Sequence, residues 1–400
     1  MDRAESLDLA QIILAASTAD QTEVLISDQA SALTRYAENA IHQNVAEATV
    51  EVSVRAVVGK QVGVVSGTDL SPASLRQLAA EAVTLARLSA PDENFVSLPA
   101  PLPLPEETDF ADPATAAAGP EERAAGVGQV LEIARANGLR AAGAFTTRTH
   151  TITVANSLGV AAWQRLSGAE LSVIMQGDDS SGYARTAAGT LGEVDPLALA
   201  QTAADKALAS AHPRAVPPGL YPVVLEEAAV GDMLMMLAFY DLGAQAVEEG
   251  RSFLSGRLGE QVCGTNISLW DDGLDPRTER LAFDFEGVPK QRVDLIKEGI
   301  GVGAVWDSYN AHKAGRASTG HALPAPNTWG PLPLNLILAP GDSSVPAMIA
   351  SMERGLLVTR FHYTNMIHPI KTTLTGMTRD GTFLIEDGQL VGGIKNLRFT

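Results

Sequence analysis

Apolar and polar positions along this chain repeat with two different periods, and the switches between the two mark its elements. Near the start, Leu7, Leu9, Ile12, Ile13 and Ala16 recur at helical spacing, which predicts a helix over residues 6–17. Two short strands are expected next, over residues 22–27 and 32–37. Val50, Val52, Val54 and Ala56 then alternate with Thr49, Glu51, Ser53 and Arg55, as in a half-buried strand. Gly59-Lys60 turns that strand back into residues 61–66 as a hairpin. Ser71-Pro72 supplies an N-cap with proline at the first helical position. Leu75, Leu78, Ala82 and Leu85 form the buried stripe of the helix that follows.

Residues 89–119 are rich in Pro, Ala and Glu without period and read as a linker laid over the surface. After it the order of elements recurs. A helix begins at Pro120 and stops before Gly138, and several strands lie between Arg140 and Ala188, with a hairpin turn at Asn156–Gly159. Asp195-Pro196 opens a closing helix that runs to Ser210. Helix, antiparallel strands, helix thus occurs twice, a pattern of pseudo-duplication. Three prolines between His212 and Gly219 mark a second boundary. Tyr221–Leu225 reads as a strand, Glu226–Leu242 has helical length, and the remainder to Thr400 reads as mostly short strands broken by Gly, Pro and Asp. The expectation is an α+β protein. Helix-flanked antiparallel sheets fill its N-terminal half and a mixed, β-rich domain its C-terminal part, with divisions at residues 1–95, 96–215 and 216–400.

Composition narrows the functional classes. With 400 residues, 46% of them hydrophobic and 19% charged, the chain has a globular composition and can build more than one core. A formal net charge of −18 argues against nucleic acid, which demands clustered Lys and Arg. No apolar run approaches the ~20 residues of a membrane span. The first residues, Met1 to Ser6, have no apolar stretch of the kind a signal peptide needs, so the cytoplasm is the expected location. Cys263 is the only cysteine, which excludes an intramolecular disulfide and a multi-cysteine metal site.

Four groups of residues could carry chemistry. His362 and His368 are the closest histidine pair, and on a strand their spacing puts both on one face, where they could hold a metal or a peptide carboxylate. Asp271, Asp272, Asp284 and Glu286 are the densest acidic cluster of the C-terminal part, able to bind a cation or a peptide amino terminus, or simply to build Asx turns. His312 and His321 flank a Gly-rich loop and are expected at the surface. Cys263 lacks any recognisable base and reads as a buried thiol.

Several segments, taken in order, resemble the TldD/PmbA family. They are residues 34–39 with 41–44, 252–262, Trp270-Asp271-Asp272-Gly273, residues 284–289, 314–320 and 376–383. The resemblance implies an intracellular zinc metallopeptidase system of two homologous subunits that acts on unfolded peptides. One subunit, TldD-type, carries a helical HExxxH motif; the other, PmbA/TldE-type, lacks it and pairs with the first. The label modulator of DNA gyrase also attaches to the family and sits badly with the acidity of this chain. Aligned to the motif, the two His positions fall on Met235 and Tyr240 and the Glu on Met236. A thioether is a soft ligand that suits copper(I) and not hydrolytic zinc. The expected chain therefore binds no metal or other cofactor itself, carries no catalytic residue, and finds its zinc in a TldD-type partner, with which it forms a heterodimer, or a homodimer when alone. Met233–Leu237 is expected to be an adaptable core helix. Relatives run on past the strand at Gly393–Thr400, so the chain is expected to stop within paired structure and leave a sheet edge open. A stand-alone hydrolase with another site, and a non-catalytic peptide-binding scaffold, remain the competing readings.

Overall fold

A computed structural model describes all residues from Met1 to Thr400. Its first half is one seven-stranded sheet that carries two copies of the same unit. The first copy is α1 (Arg3–Ala16), β1 (Gln21–Ala37), β2 (Ala40–Val58), β3 (Gln61–Gly67) and α2 (Pro72–Leu88). A linker segment with β4 (Asp109–Phe110) and α3 (Pro113–Ala117) leads to the second. That copy is α4 (Pro120–Ala136), β5 (Arg140–Asn156), β6 (Ala161–Gln176), β7 (Ser181–Ala188) and α5 (Pro196–Ala209). The copies join by antiparallel pairing of β1 with β5, in unbroken register from Glu23↔Asn156 to Tyr36↔Gly143. The two short strands expected over residues 22–37 are thus one strand of 17 residues, because β2 and β5 both pair with the polar middle that the pattern left as a gap.

Alternation sorts the faces of this sheet. Val24, Ile26 and Tyr36 of β1 point one way. The first two pack under α1 and α2 with Val52, Val54 and Ala56. Tyr36 packs under α4 and α5 with Phe145, Leu171 and Val173. Leu25, Ile152 and Val154 point the other way and meet Ala282 and Phe283 of the C-terminal domain. Each unit brings its closing helix down on a glycine of its third strand. A β-carbon at Gly63 would run into the backbone of Ala82 and Ala86 in α2, and one at Gly182 into that of Ala203 and Ala207 in α5. The alanines that α2 and α5 turn inward make the same close approach possible twice.

The C-terminal domain holds two sheets. The four-stranded one runs β11 (Ile300–Gly301), β10 (Val293–Lys297), β9 (Leu269–Asp271), β12 (Leu336–Leu338). The five-stranded one runs β15 (Gln389–Gly393), β14 (Thr373–Glu386), β13 (Arg354–His368), β8 (Val223–Leu225), with β16 (Arg398–Phe399) also on β14. Pairing of β8 with β13 is parallel, so this sheet is mixed. At 15 and 14 residues β13 and β14 are not the short strands expected, since three bulges let the ladder bend without ending. Helix α6 (Glu227–Tyr240) lies between the two sheets, and α7 (Ala244–Glu248), α8 (Ser308–Lys313) and α9 (Val345–Ala350) fill the periphery. No helix is long and apolar enough to cross a membrane.

The repeated glycine contact gives a paired test. Gly63→Ala and Gly182→Ala should each destabilise the protein by about 2–4 kcal/mol, because helix and strand backbones must separate. Gly128→Ala, in α4 with open space around it, should stabilise by up to about 1 kcal/mol. Chemical denaturation of the three variants checks both signs.

Candidate functional site

Helix α6 stands where the resemblance puts a metal-binding helix, and Glu227 and Asp232 are its only charged residues. Ala229 and Met233 pack toward β13 with Leu356, Val358 and Phe361. Leu234 and Leu237 pack the other way, against Leu242, Phe253 and Leu254. The third side, Asp232, Met235, Met236 and Phe239, follows the i, i+3, i+4, i+7 spacing of one helical face and is left open. Met235 is 45% exposed and Phe239 41%. The expectation of a core helix is thus corrected for this face. Two cores already flank α6, and the middle of the remaining stripe stays open, while Arg185 of β7 and Arg360 of β13 act on Asp232 at one end. Trp329, 51% exposed, stands edge-on to the rings of Phe239 and Tyr240 at 5.8 and 6.0 Å.

This helix does not fit zinc. Met235, Met236 and Tyr240 present two thioethers and a phenol where hydrolytic zinc takes imidazole and carboxylate. No group of three or more His, Cys, Asp or Glu side chains is assembled anywhere in a way that could hold a metal ion.

One ionisable group does sit at the end of α6. Asp241 follows Tyr240 directly and is fully buried. Its Oδ1 accepts a hydrogen bond from the Phe253 amide at 3.3 Å and its Oδ2 has no partner. Its carbonyl accepts one from the Ser252 hydroxyl at 2.7 Å. Burial without a compensating cation pushes its carboxyl up to about 7, against a smaller downward pull from the Phe253 amide.

The acidic residues take different structural roles around Lys290 and Arg55. Asp271, fully buried at the end of β9, pairs with Lys290 at 3.0 Å and His321 at 2.8 Å, and accepts from the Asn335 amide at 2.6 Å. Burial raises the Asp271 carboxyl most, but the His321 hydrogen bond and the Lys290 charge together outweigh it and hold the group below its usual range. Burial lowers both Lys290 and His321. His321 is therefore a core residue and not the surface residue expected, because Asp271 satisfies its ring; His312 on α8 is exposed as expected. Asp272 accepts from the Leu274 amide, an Asx turn. Asp284 accepts from the amides of Glu286, Val288 and Ala322 at 2.8–3.0 Å, and burial, then the Glu286 charge, pushes it up to about 8.

Glu286 reaches across the molecule. Its Oε1 pairs with Arg55 of β2 at 3.0 Å, while Arg55 also pairs with Glu23 of β1 at 2.7 Å. Beside this bridge lies a cleft of about 590 Å³ lined by Phe95, Asp307, Tyr309 and Asn310 among others. The pattern of β2 marks Arg55 only as one polar position among several, and nothing in the sequence marks Lys290 or Asp241.

His362 and His368 pair with Met377 and Thr373 of β14. The two bulges between them restore their common face, but four residues of β14 separate their backbones by about 13 Å. His368 is exposed, and partial burial with the charges of Arg379 and Arg360 lowers His362. Cys263 is half-buried, raised by that burial, and its sulfur lies 4.0 Å from the Gly299 carbonyl with no histidine beside it.

Comparison with known proteins agrees along the whole length. Models of the PmbA/TldA metallopeptidase match residues 22–86 as domain 1, 98–211 as the central domain and 218–400 as the C-terminal domain. A TldD metalloprotease homologue of Haemophilus influenzae is 32% identical over 173 residues, 42% of this chain and 36% of that protein. The PmbA metalloprotease of Escherichia coli O157:H7 is 26% identical over 364 residues, 86% of this chain and 77% of that one. The chain thus spans little more than a third of the TldD homologues it matches and about three quarters of PmbA. Among solved structures, TldE from Thermococcus kodakarensis superposes with a TM-score of 0.85 at 21% identity, covering 100% of this chain and 91% of that one. A protein from Thermotoga maritima named for modulation of DNA gyrase gives 0.87 at 19%, covering 99% and 92%.

Two substitutions test the electrostatic reading. Asp271→Ala leaves Lys290 buried without its counter-charge and should cost about 3–5 kcal/mol, whereas Asp272→Ala should cost about 1 kcal/mol or less. For Asp241 the folded carboxyl is raised, so the stability its protonated form contributes is present at acid pH and lost as pH rises from about 4 through about 7. Asp241→Asn should therefore leave the denaturation midpoint little changed at pH 4 and raise stability above pH 7, by on the order of 1–2 kcal/mol.

Proposed function

The chain belongs to the PmbA/TldD metallopeptidase family, and from that premise we propose that it is the non-hydrolytic, PmbA/TldE-type subunit of a peptidase that acts on unfolded peptides. The observation that carries the reading is the open stripe of α6. A hydrolytic zinc site would need nitrogen and oxygen donors there, and the helix offers Met235, Met236 and Phe239 instead. Methionines and aromatic rings held open to solvent suit adaptable contact with apolar side chains of varied shape. The subunit's contribution is then to hold an extended peptide, or to wall the space around it, while a TldD-type homologue supplies the metal and the water that cleaves.

Hydrolysis by this chain alone has little to draw on. The His362 and His368 backbones are about 13 Å apart along the ladder, and Cys263 has no base. The cytoplasm is the expected setting, since unfolded peptide and the zinc-bearing homologue would meet there.

Mixing tests the proposal. Purified chain, an HExxxH-bearing homologue, and the two together are each incubated with an unfolded peptide, and cleavage and particle mass are followed. Cleavage should appear in the mixture with a heterodimeric mass and be absent from this chain alone. Met235→Lys combined with Phe239→Lys should lower cleavage in the mixture and change stability by no more than about 0.5 kcal/mol, both sites being exposed. Cleavage by this chain alone, lost on mutation of its own residues, would overturn the reading.

A further inference from the structure

The cleft of about 590 Å³ beside the Arg55 bridge lies between the first domain and the C-terminal domain, a common place for a small-ligand site. One wall is β3, the end of α2 and the segment after it, with Val62, Val64, Leu85 and Phe95. The other is α8 and the loop of residues 322–330, with Leu323 and Pro326. The Tyr309 hydroxyl donates across the gap to Asp92 at 3.2 Å. Charge in this cleft does not balance. Asp92, Glu286 and Asp307 line it, and Arg55 is the one cation among the lining residues, already paired with Glu286 and with Glu23. The other two acids hold neutral donors only. Asp92 accepts from the Tyr309 hydroxyl and the Asn94 amide, and Asp307 from the amide and side chain of Asn310. Asp307 is buried, and that burial, with a smaller push from Glu286, raises its carboxyl against the pull of the Asn310 hydrogen bonds.

The loop that forms one wall also touches the open stripe of α6. Asn327, Thr328 and Gly330 line the cleft, while Trp329 between them stands against Phe239 and Tyr240. Asn327 fixes this turn, accepting from the Trp329 amide at 2.8 Å and donating to the Gly330 carbonyl at 2.9 Å. Stripe and cleft are therefore neighbours across a single residue. We propose that the cleft takes an alkylammonium group, the free amino terminus or a lysine side chain of a peptide whose apolar residues lie on α6. This rests on the reading that α6 holds peptide, and it names the charged group that the subunit selects. An ammonium supplies the counter-charge that Asp92 and Asp307 lack, and the apolar walls suit the methylene stem that carries it. Other occupants fit less well. A carboxylate or phosphate would face three acids and a guanidinium already in use, and no three metal-donor side chains converge here to hold a bare cation.

Peptide binding to the purified chain tests this at ~0.15 M salt, where the general attraction of an acidic protein for cations is screened. Three short peptides share one Leu, Ala and Gly sequence with a single lysine and a dye at the C-terminus. The first has a free amino terminus, the second is acetylated, and the third is acetylated with norleucine in place of lysine. The third should bind at least about tenfold more weakly than the first. A loss already seen with the second assigns the amino terminus, and a loss seen only with the third assigns the lysine. Asp307→Asn should shrink the difference, and Leu85→Lys, at an exposed position of the cleft wall, should erase it without moving the denaturation midpoint. Equal binding of all three peptides, weakened throughout by Met235→Lys with Phe239→Lys, overturns the cleft and leaves the α6 reading standing. A preference for charge that survives both cleft variants comes from the acidic surface at large and overturns it too. Peptides that bind in no form overturn both readings.

Discussion

The antiparallel ladder between β1 and β5 is the constraint on which the rest of the molecule depends. It turns two similar units into a single sheet, and so fixes which face each unit turns to its helices and which to the C-terminal domain. Tyr36 records how tightly the join is made. Its ring is buried under α4 and α5 while its hydroxyl donates to the Ser172 carbonyl on β6, beyond β5, and Gly143 leaves the room for it. A unit that slipped by one residue would turn Val24 and Ile26 out of their core.

The second face of that sheet is where the domains are locked. Phe283 and Ala282 bury apolar area against Leu25 and Val154, and the Arg55 guanidinium beside them joins Glu23 to Glu286. One terminal nitrogen of that guanidinium, Nη2, donates to both carboxylates. Within the C-terminal domain the Asp271, Lys290 and His321 group does similar work between β9 and the loops that pack on it. Such buried pairs add little net stability but cost heavily when one member is lost, so they enforce one arrangement of the loops.

That rigidity explains why α6 can afford an apolar open face. Its two other sides pack into separate cores, one on each sheet, and Met235 and Phe239 are left exposed to solvent. The same surroundings leave Asp241 without a counter-charge at the helix end. Both features belong to α6 and its C-terminal end.

Local pattern alone determined much of this protein. The prolines and caps that start α2, α4 and α5, the Gly59-Lys60 turn, and the repeated order of helix, strands and helix are all readable because each depends on neighbours a few residues away. Tertiary structure decided what long-range partners decide. The polar middle of β1 is strand because β2 and β5 pair with it from either side, and β13 and β14 run long because bulges let their ladder bend without ending. His321 is buried because Asp271, 50 residues away, accepts its hydrogen bond. Met235 is exposed although its sequence is that of a core helix, since hydrophobicity states what a side chain would prefer to bury and not whether the rest of the fold supplies anything to bury it against.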